Sequence, residues 1–538
     1  MNFLEGEEMG TLWFGGSIYT MEKENATVEA VFTEDGRIID TGSLRLLSTA
    51  YENRIQEKID LHGKTMLPGL VDSHMHLIGH GEKLMRLNLA GMKSREAVLE
   101  ALRVQTDQFS AGEWIIAEGW NENEWVDSEL ILADELDEIS SEHPILIKRV
   151  CRHAAVINSK AMEMLGLDEH MVVPAGGVAG RSKNGGLNGL FKDAAMDAVL
   201  KALPPVTNEY LNKALTLAVK DCHRLGLVGV HTEDLNYYSG FHPTYKAFLD
   251  VMEEKGLTLK CHLLVHHGVV DEMYAGGHRF KSRNGSIEFG PMKIFADGSL
   301  GGRTALLGQP YADDPETNGV AIHPLTELKS LVAKARSLRM PVAVHAIGDL
   351  AFEYLLDAIE EHPPKEGQRD RLIHAQILRR DLIDRAKRLP VVLDIQPVFV
   401  TSDFPWVMDR VGRENMTYNY AWKTLLDEGL KCAGGSDAPI EELNPLLGIY
   451  AAAVRKKLDE DGTVYGESER LSVYEAISLF TKGSAYAAIN EGETGTIAPG
   501  KCADFTVLDQ DPFRVNHEAL LHTKAVMTVI NGETVFEI

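Results

Sequence analysis

Eight short apolar runs alternate with amphipathic stretches through the middle of this sequence, and that alternation constrains the fold most. Stretches such as LTELKSLVAKARSL and LAFEYLLDAIEEH have helical spacing of their apolar residues. Strands that alternate with helices are typical of parallel βα units, and eight units close a barrel. We therefore predict an α/β fold with a (β/α)8 (TIM) barrel. Its strands are expected in TMLPGLVDSHMHL, GLVGVHTED, LKCHLLVHH, GPMKIFADG, MPVAVHAIGD, RLIHAQI, VVLDIQP and LKCAGGSDAP.

The two ends of the chain have a different pattern. Short alternating segments with Gly-Gly, Asp-Gly and Asn-Gly turns, such as VINGETV, predict hairpins. We expect residues 1–66 and 485–538 to pair into a small β-sandwich domain beside a barrel of residues 67–484. The interval of about 82–212 between the first two barrel strands is too long for one helix. It predicts a large inserted subdomain, suited to a lid or a substrate pocket.

Composition narrows the range of partners. The 538 residues carry a formal net charge of −26, which argues against nucleic acid and anionic membranes as partners. No apolar run approaches the roughly 18 residues of a spanning helix, and the acidic start MNFLEGEEMG does not resemble a signal peptide. We therefore expect a cytoplasmic protein that acts on a small molecule.

The cysteines give no sign of a disulfide framework or a thiolate metal site. They are scattered, odd in number and never spaced as CxxC. We expect free thiols in a reducing compartment. They are Cys151, Cys222, Cys261, Cys432 and Cys502.

Possible metal ligands recur where the predicted barrel strands end. His74 and His76 lie two residues apart in VDSHMHL, so a strand directs both rings to one face. Such a pair is often incidental, and a single strand-end histidine usually bonds a main-chain carbonyl. The joint occurrence on successive strands favours a functional site, because barrel enzymes place their chemistry at this rim. The other strand-end candidates are Lys293, His345, His374 and Asp437.

Two further motifs do not support other chemistries. GTIAPGK approaches a phosphate-binding loop but is followed by Cys502 where Ser or Thr is required. GGSDA approaches the nucleophile elbow of a serine hydrolase but ends in Ala438. We interpret the first as a turn, and a serine hydrolase is the weaker hypothesis.

The sequence resembles the amidohydrolase superfamily, and within it the YtcJ-like branch that includes N-substituted formamide deformylases. The resemblance covers nearly the whole chain. It rests on LPGLVDSHMHL, HAAVINSKAM, GPMKIFADGSLGGRTALL, VAVHAIGD, LIHAQI, GSDAP and GTIAPGKCADFTVLD.

The resemblance implies a centre of one or two divalent metals, with zinc expected and iron, manganese or cobalt as alternatives. It implies that His74 and His76 bind one metal and that His345 and His374 bind the second. Lys293 would bridge them as a carbamate, because an ammonium cannot ligate a cation; its simpler interpretation is an ion pair with Asp297 or Asp437. Asp437 would contact the first metal and transfer protons during attack by activated water.

Three residues in matching segments are candidate substrate contacts. They are Trp120, His153 and Arg303. For Trp120 a place in the core is the alternative, and for Arg303 a solvated or salt-bridged state.

The resulting hypothesis is an amidohydrolase that cleaves a C–N bond, with an N-acyl or N-formyl amide as the expected substrate. Two alternatives stay open: an esterase, lactonase or cyclic amidase with the same metal site, and a non-catalytic barrel that binds metal or ligand. A homodimer is a further expectation from the family resemblance.

Overall fold

The computed structural model describes residues 10–107, 109–122, 125, 129–149, 154–174, 177–203, 206–238, 240–457 and 462–538. The chain divides into two compact units. One combines Met1–His80 with Leu211–Ile538, and the other is Gly81–Tyr210.

The first unit contains eight parallel strands in the order of the chain, which confirms the predicted barrel fold. Each strand pairs with its successor in sequence. After the eighth strand the chain returns to the first, where Asp437 N donates to His74 O (2.8 Å) and His76 N donates to Ala438 O (2.7 Å). The strands are Leu70–Met75, Leu227–Thr232, Lys260–His266, Ile287–Phe295, Val342–Ala346, Asp370–His374, Val391–Ile395 and Cys432–Gly434.

Amphipathic helices separate the later barrel strands. In Leu325–Ser337 the buried residues are Leu328, Val332 and Ala335, which share one face at helical spacing. The other α-helices beside this unit's strands are Leu44–Ala50, Leu77–Met85, Asn208–Arg224, Phe241–Leu249, Val270–Ala275, Asp349–Glu361, Arg380–Ala386, Phe399–Asp403, Trp406–Val411, Trp422–Asp427, Pro445–Val454, Val473–Ser478 and Ser484–Ala487. Short 3-10 or π turns are Asp250–Glu254, Arg413–Asn415, Glu467–Glu469, Leu479–Gly483 and His517–His522.

Both chain ends join one mixed sheet, as predicted. Phe505–Leu508 runs antiparallel to Thr65–Pro68, with Phe505 opposite Pro68. The last hairpin turns at Asn531 and Gly532, both with positive φ (52° and 81°), as an Asn-Gly turn requires. The remaining strands of this sheet are Gly10–Tyr19, Thr27–Glu34, Arg37–Gly42, Ile55–Asp60, Ala525–Ile530 and Glu533–Glu537. A short strand, Arg283–Asn284, pairs with the fourth barrel strand.

The second unit has its own mixed sheet and core. Trp120 is fully buried in that core with Trp125, Ile131 and Leu136. The strands are Leu87–Asn88, Ile115–Trp120, Ile145–Arg149, Ala154–Ile157, Gly177–Arg181 and Leu187–Asp193. The helices are Arg95–Thr106, Ala133–Ile139, Ser159–Met164 and Ala194–Ala202.

Two further predictions can be compared with the described residues. No helix among them has both the length and the apolarity to cross a bilayer. Cys222, Cys261, Cys432 and Cys502 are free thiols, and the first three are buried. Cys151 lies outside the described residues.

Candidate metal centre

The six strand-end residues lie at the carboxyl ends of the barrel strands. Parallel strands place these ends at one rim, so residues distant in sequence meet there. His374 and Asp437 have positive φ (77° and 61°), a backbone conformation that is uncommon outside glycine and often found at functional sites.

His74, His76 and Asp437 form the tightest group. One possible ligand atom from each lies within 4.8 Å of the others. The Oδ1 atom of Asp437 is 3.4 Å from His74 Nε2 and 3.5 Å from His76 Nε2. Among the described residues, this is the one set of three or more such side chains close enough to share an ion.

The other three candidates adjoin this group. Lys293 Nζ lies 3.3 Å from His74 Nε2 and 4.4 Å from the centre of the Phe295 ring. The His345 and His374 ring centres are 4.4 Å apart, and the His374 ring is 5.7 Å from that of His74. The structure thus brings all six side chains into one neighbourhood, with His345 and His374 as a second pair.

Oxygen acceptors orient three of the imidazoles. His76 Nδ1 donates to the main-chain oxygen of Glu233 (2.7 Å), and His345 Nε2 donates to that of Gly298 (3.0 Å). His374 Nδ1 donates to Gln396 Oε1 (2.7 Å), while Gln396 Nε2 donates to Asp394 O (3.0 Å). Each bond fixes which ring nitrogen carries the proton of the neutral imidazole, so that the other nitrogen then has the lone pair that metal-binding histidines require.

Burial disfavours the charged forms of four of these groups. It lowers the pKa of His74 and His345 well below the ordinary histidine value, and that of His374 to about 4. It also lowers the pKa of Lys293, which favours the free amine. Neutral imidazoles have the lone pair that a cation needs, and a neutral amine is the form that can add carbon dioxide.

His76 and Asp437 behave differently because they are coupled. Burial disfavours the charged form of His76, but Asp437 and then Glu233 raise its pKa to about 9. Burial likewise opposes ionisation of Asp437, yet its bond to His76 and nearby positive charge lower the pKa. Asp437 is therefore an anionic donor, and a bound cation would compete with the proton on His76.

The donor set fits a divalent cation. Imidazole nitrogens and a carboxylate suit zinc, iron, manganese and cobalt. His74 Nδ1 is buried without a hydrogen-bond partner among the described residues, and the buried Glu233 carboxylate has none there apart from the Tyr237 phenol. Unpaired buried polar atoms beside a ligand cluster are the pattern expected where a cation balances the charge.

The structure supplies orienting groups that the sequence analysis missed. Glu233 follows the second barrel strand in VHTED, and Gln396 follows the seventh in DIQP. Their position after a strand was the available signal. Gly298 acts through its main-chain oxygen, which no side-chain pattern reveals.

The three candidate substrate contacts lie in different settings. Arg303 is tied to Asp313 by two hydrogen bonds of 3.1 and 3.0 Å. Trp120 lies in the core of the second unit. His153 lies outside the described residues.

Comparison with known proteins extends these observations. A sequence model described as "Amidohydrolase family" matches residues 57–536. The chain is 49% identical over 531 residues to "Putative amidohydrolase YtcJ" of Bacillus subtilis (strain 168), covering 98% of this chain and 100% of that one. It is 24% identical to the N-substituted formamide deformylase of Arthrobacter pascens over 97% of each chain. A crystal structure of an uncharacterised metal-dependent hydrolase from Pyrococcus horikoshii OT3 matches with a TM-score of 0.79 at 30% identity, covering 95% of this chain and 99% of that one.

Proposed function

This chain belongs to the amidohydrolase family, and from that premise we propose that it is a metal-dependent hydrolase cleaving the C–N bond of an N-acyl or N-formyl amide. The family membership confirms the resemblance found in the sequence. The choice of amide is supported by the relative named N-substituted formamide deformylase.

The observation that carries the proposal is the convergence of six side chains at one end of the barrel. His74, His76 and Asp437 form the tight group, Lys293 touches it, and His345 and His374 pack beside it.

The residues divide into two sets of donors. We assign His74, His76 and Asp437 to one divalent cation, and His345 and His374 to a second. Lys293 would contribute to both as a carbamate formed on its buried amine. When bound, such a cation lowers the pKa of water and polarises a carbonyl oxygen.

Asp437 is the residue placed to move a proton. Its Oδ1 atom lies between the Nε2 atoms of His74 and His76, and its low pKa keeps it ready to accept. In the proposed reaction it takes a proton from the attacking water and passes it to the departing nitrogen. The bond from water oxygen to the carbonyl carbon forms, the C–N bond breaks, and a carboxylic acid and an amine result.

A substrate panel tests this proposal. Protein purified without chelators is analysed for metal, then assayed on matched formamides, longer N-acyl amides, cyclic amides, esters and lactones. We expect bound zinc, iron, manganese or cobalt, and amide hydrolysis that stops on chelation and returns with metal. Hydrolysis confined to esters or lactones contradicts the choice of amide, and metal-free protein with undiminished activity contradicts the mechanism.

A further inference from the structure

A buried carboxylate with few hydrogen bonds lies beside the metal centre. Glu233 follows the second barrel strand and is 0% exposed. Apart from the Tyr237 phenol, neither of its carboxylate oxygens has a hydrogen-bond partner among the described residues. A buried carboxylate is costly without a positive group nearby, and His76 Nδ1 lies 3.8 Å from Glu233 Oε2.

The next residue shows that poor local packing is not the cause. Asp234 is equally buried, yet it accepts hydrogen bonds from Leu77 N (3.1 Å), Ile78 N (3.2 Å) and Thr232 Oγ1 (2.6 Å). The chain therefore provides main-chain donors for the Asp234 carboxylate at the start of a helix and none for the Glu233 carboxylate.

Glu233 faces His76. Its Oε2 atom lies 3.8 Å from His76 Nδ1, which already donates to the main-chain oxygen of Glu233. The other ring nitrogen, Nε2, lies 3.5 Å from Asp437 Oδ1. The two nitrogens are on opposite sides of an imidazole, so Glu233 stands behind the ring and Asp437 stands in front of it.

Other charged and polar groups complete this environment. Burial lowers the pKa of Lys293, and Glu233 is the foremost charge opposing that effect. The Tyr237 ring lies 5.8 Å from the His76 ring, and burial, then the charge of Glu233 and its hydrogen bond with the phenol, raise the pKa of Tyr237. Glu233 therefore acts on several groups of the centre at once, most directly on His76.

We propose that Glu233 is a positioning residue that strengthens the bond between His76 and a divalent cation. Its main-chain oxygen fixes the tautomer, and its carboxylate makes Nε2 a better electron donor. Carboxylate–histidine–metal arrangements of this kind tune affinity in known metalloproteins. This inference rests on the proposed function, because it requires a cation in front of the ring.

The test is the zinc affinity of the full-length protein, measured after bound metal has been removed and zinc has been added back. The substitution Glu233→Gln keeps the shape and removes the charge. We expect the zinc dissociation constant, from competition with a chromophoric chelator, to rise by roughly 10–100-fold. The visible spectrum of the cobalt-loaded protein should also change, while the melting temperature in excess chelator stays at the wild-type value.

Two further variants separate charge from disruption. Glu233→Asp keeps the charge but moves it away from His76, because the side chain is one methylene shorter. Its affinity for zinc should therefore lie between those of the wild type and Glu233→Gln. Asp403→Asn is the matched control, since Asp403 is largely buried and bonded to Tyr420 and Gln376 without touching the six candidate ligands. This control should bind zinc as the wild type does.

The outcomes distinguish the two proposals. Wild-type protein that binds neither zinc nor cobalt contradicts the proposed function itself. A wild type that binds zinc while Glu233→Gln binds it equally well overturns the role of Glu233 alone, as does an equal loss in Asp403→Asn. Should Glu233→Gln not fold, an unchanged affinity in Glu233→Asp overturns it.

Discussion

The two ends of the barrel interior hold similar polar residues in opposite states. At the carboxyl end, burial lowers the pKa of His74, His345 and Lys293, which disfavours their charged forms. Toward the amino end, buried carboxylates are matched with cations. The groups at the carboxyl end can bind a cation, whereas the charges toward the amino end already form ion pairs with each other.

Two clusters show the neutralised state. Arg371 and Asp394 are both 0% exposed and form an ion pair, and Arg371 also contacts His231 Nδ1 at 3.1 Å. Glu288 accepts from His262 Nδ1 (2.8 Å) and from Lys281 Nζ (2.8 Å). Satisfied buried networks hold a fold together, whereas unsatisfied ones need a ligand. The buried ion pairs therefore stabilise the barrel, whereas the candidate ligands serve its function.

Removing the proton-transfer group should have the largest effect. Asp437→Asn removes the carboxylate that faces His74 and His76, so we expect kcat to fall by roughly 10²–10⁴-fold on a substrate found in the panel. The free energy of unfolding should change little. Activity within tenfold of the wild type would show that Asp437 is not the proton carrier.

Breaking the pair at the other end should affect stability instead. Asp394→Asn leaves the Arg371 guanidinium buried without its counter-ion, which should lower the free energy of unfolding by roughly 3–5 kcal/mol in urea titrations. The double variant Arg371→Met with Asp394→Leu removes both charges, so its free energy of unfolding should fall by less than that of the single variant. A smaller loss in the single than in the double variant would contradict this account of the pair.

The pH dependence of stability should have opposite signs for Asp403 and Glu288. Burial raises the pKa of Asp403 to about 7, so its contribution is complete below pH 3.8 and is lost as the pH rises to about 7. Burial opposes ionisation of Glu288, but His262 and Lys281 lower its pKa, so its contribution is present above pH 4.5 and lost on acidification. Each slope is at most roughly 1.4 kcal/mol per pH unit.

Urea titrations across pH 3–8 check these signs. Asp403→Asn should reduce the loss of stability toward neutral pH, and Glu288→Gln should reduce the loss toward acid. If the free energy of unfolding of both variants changes with pH as that of the wild type does, these two groups do not cause the pH dependence.

The smallest effect is expected at Arg303. Its side chain is held by Asp313, which also pairs with Arg410. An exposed ion pair of this kind contributes little, so Arg303→Ala should change kcat/KM by less than about twofold. A rise in KM of tenfold or more would show instead that Arg303 clamps the substrate.

Most of the fold could be predicted because its signals are local. The strands that contain His345 and His374 and helices such as Leu325–Ser337 have clear periods and lengths. The first run, TMLPGLVDSHMHL, was harder to divide into strands, because no break in its apolar residues marks the boundary between two sheets. Thr65–Pro68 joins the terminal sheet and Leu70–Met75 begins the barrel. Gly69 separates them, where any Cβ would lie 2.4 Å from a Val228 methyl.

The site was less predictable beyond its residue types. The resemblance implied which side chains would meet, but not how each imidazole is oriented. That depends on acceptors from other strands, such as Gly298 O for His345 and Gln396 for His374. Glu233 was missed because its signal, a position just after a strand, is shared by Asp234 beside it in VHTED.

The most direct test of the central claim is a crystal structure of protein purified without chelators, with diffraction recorded at metal absorption edges. We predict an anomalous peak about 2.0–2.3 Å from the Nε2 atoms of His74 and His76 and from a carboxylate oxygen of Asp437. Clear density for these side chains with no anomalous peak between them, in protein that hydrolyses its substrate, would contradict the account.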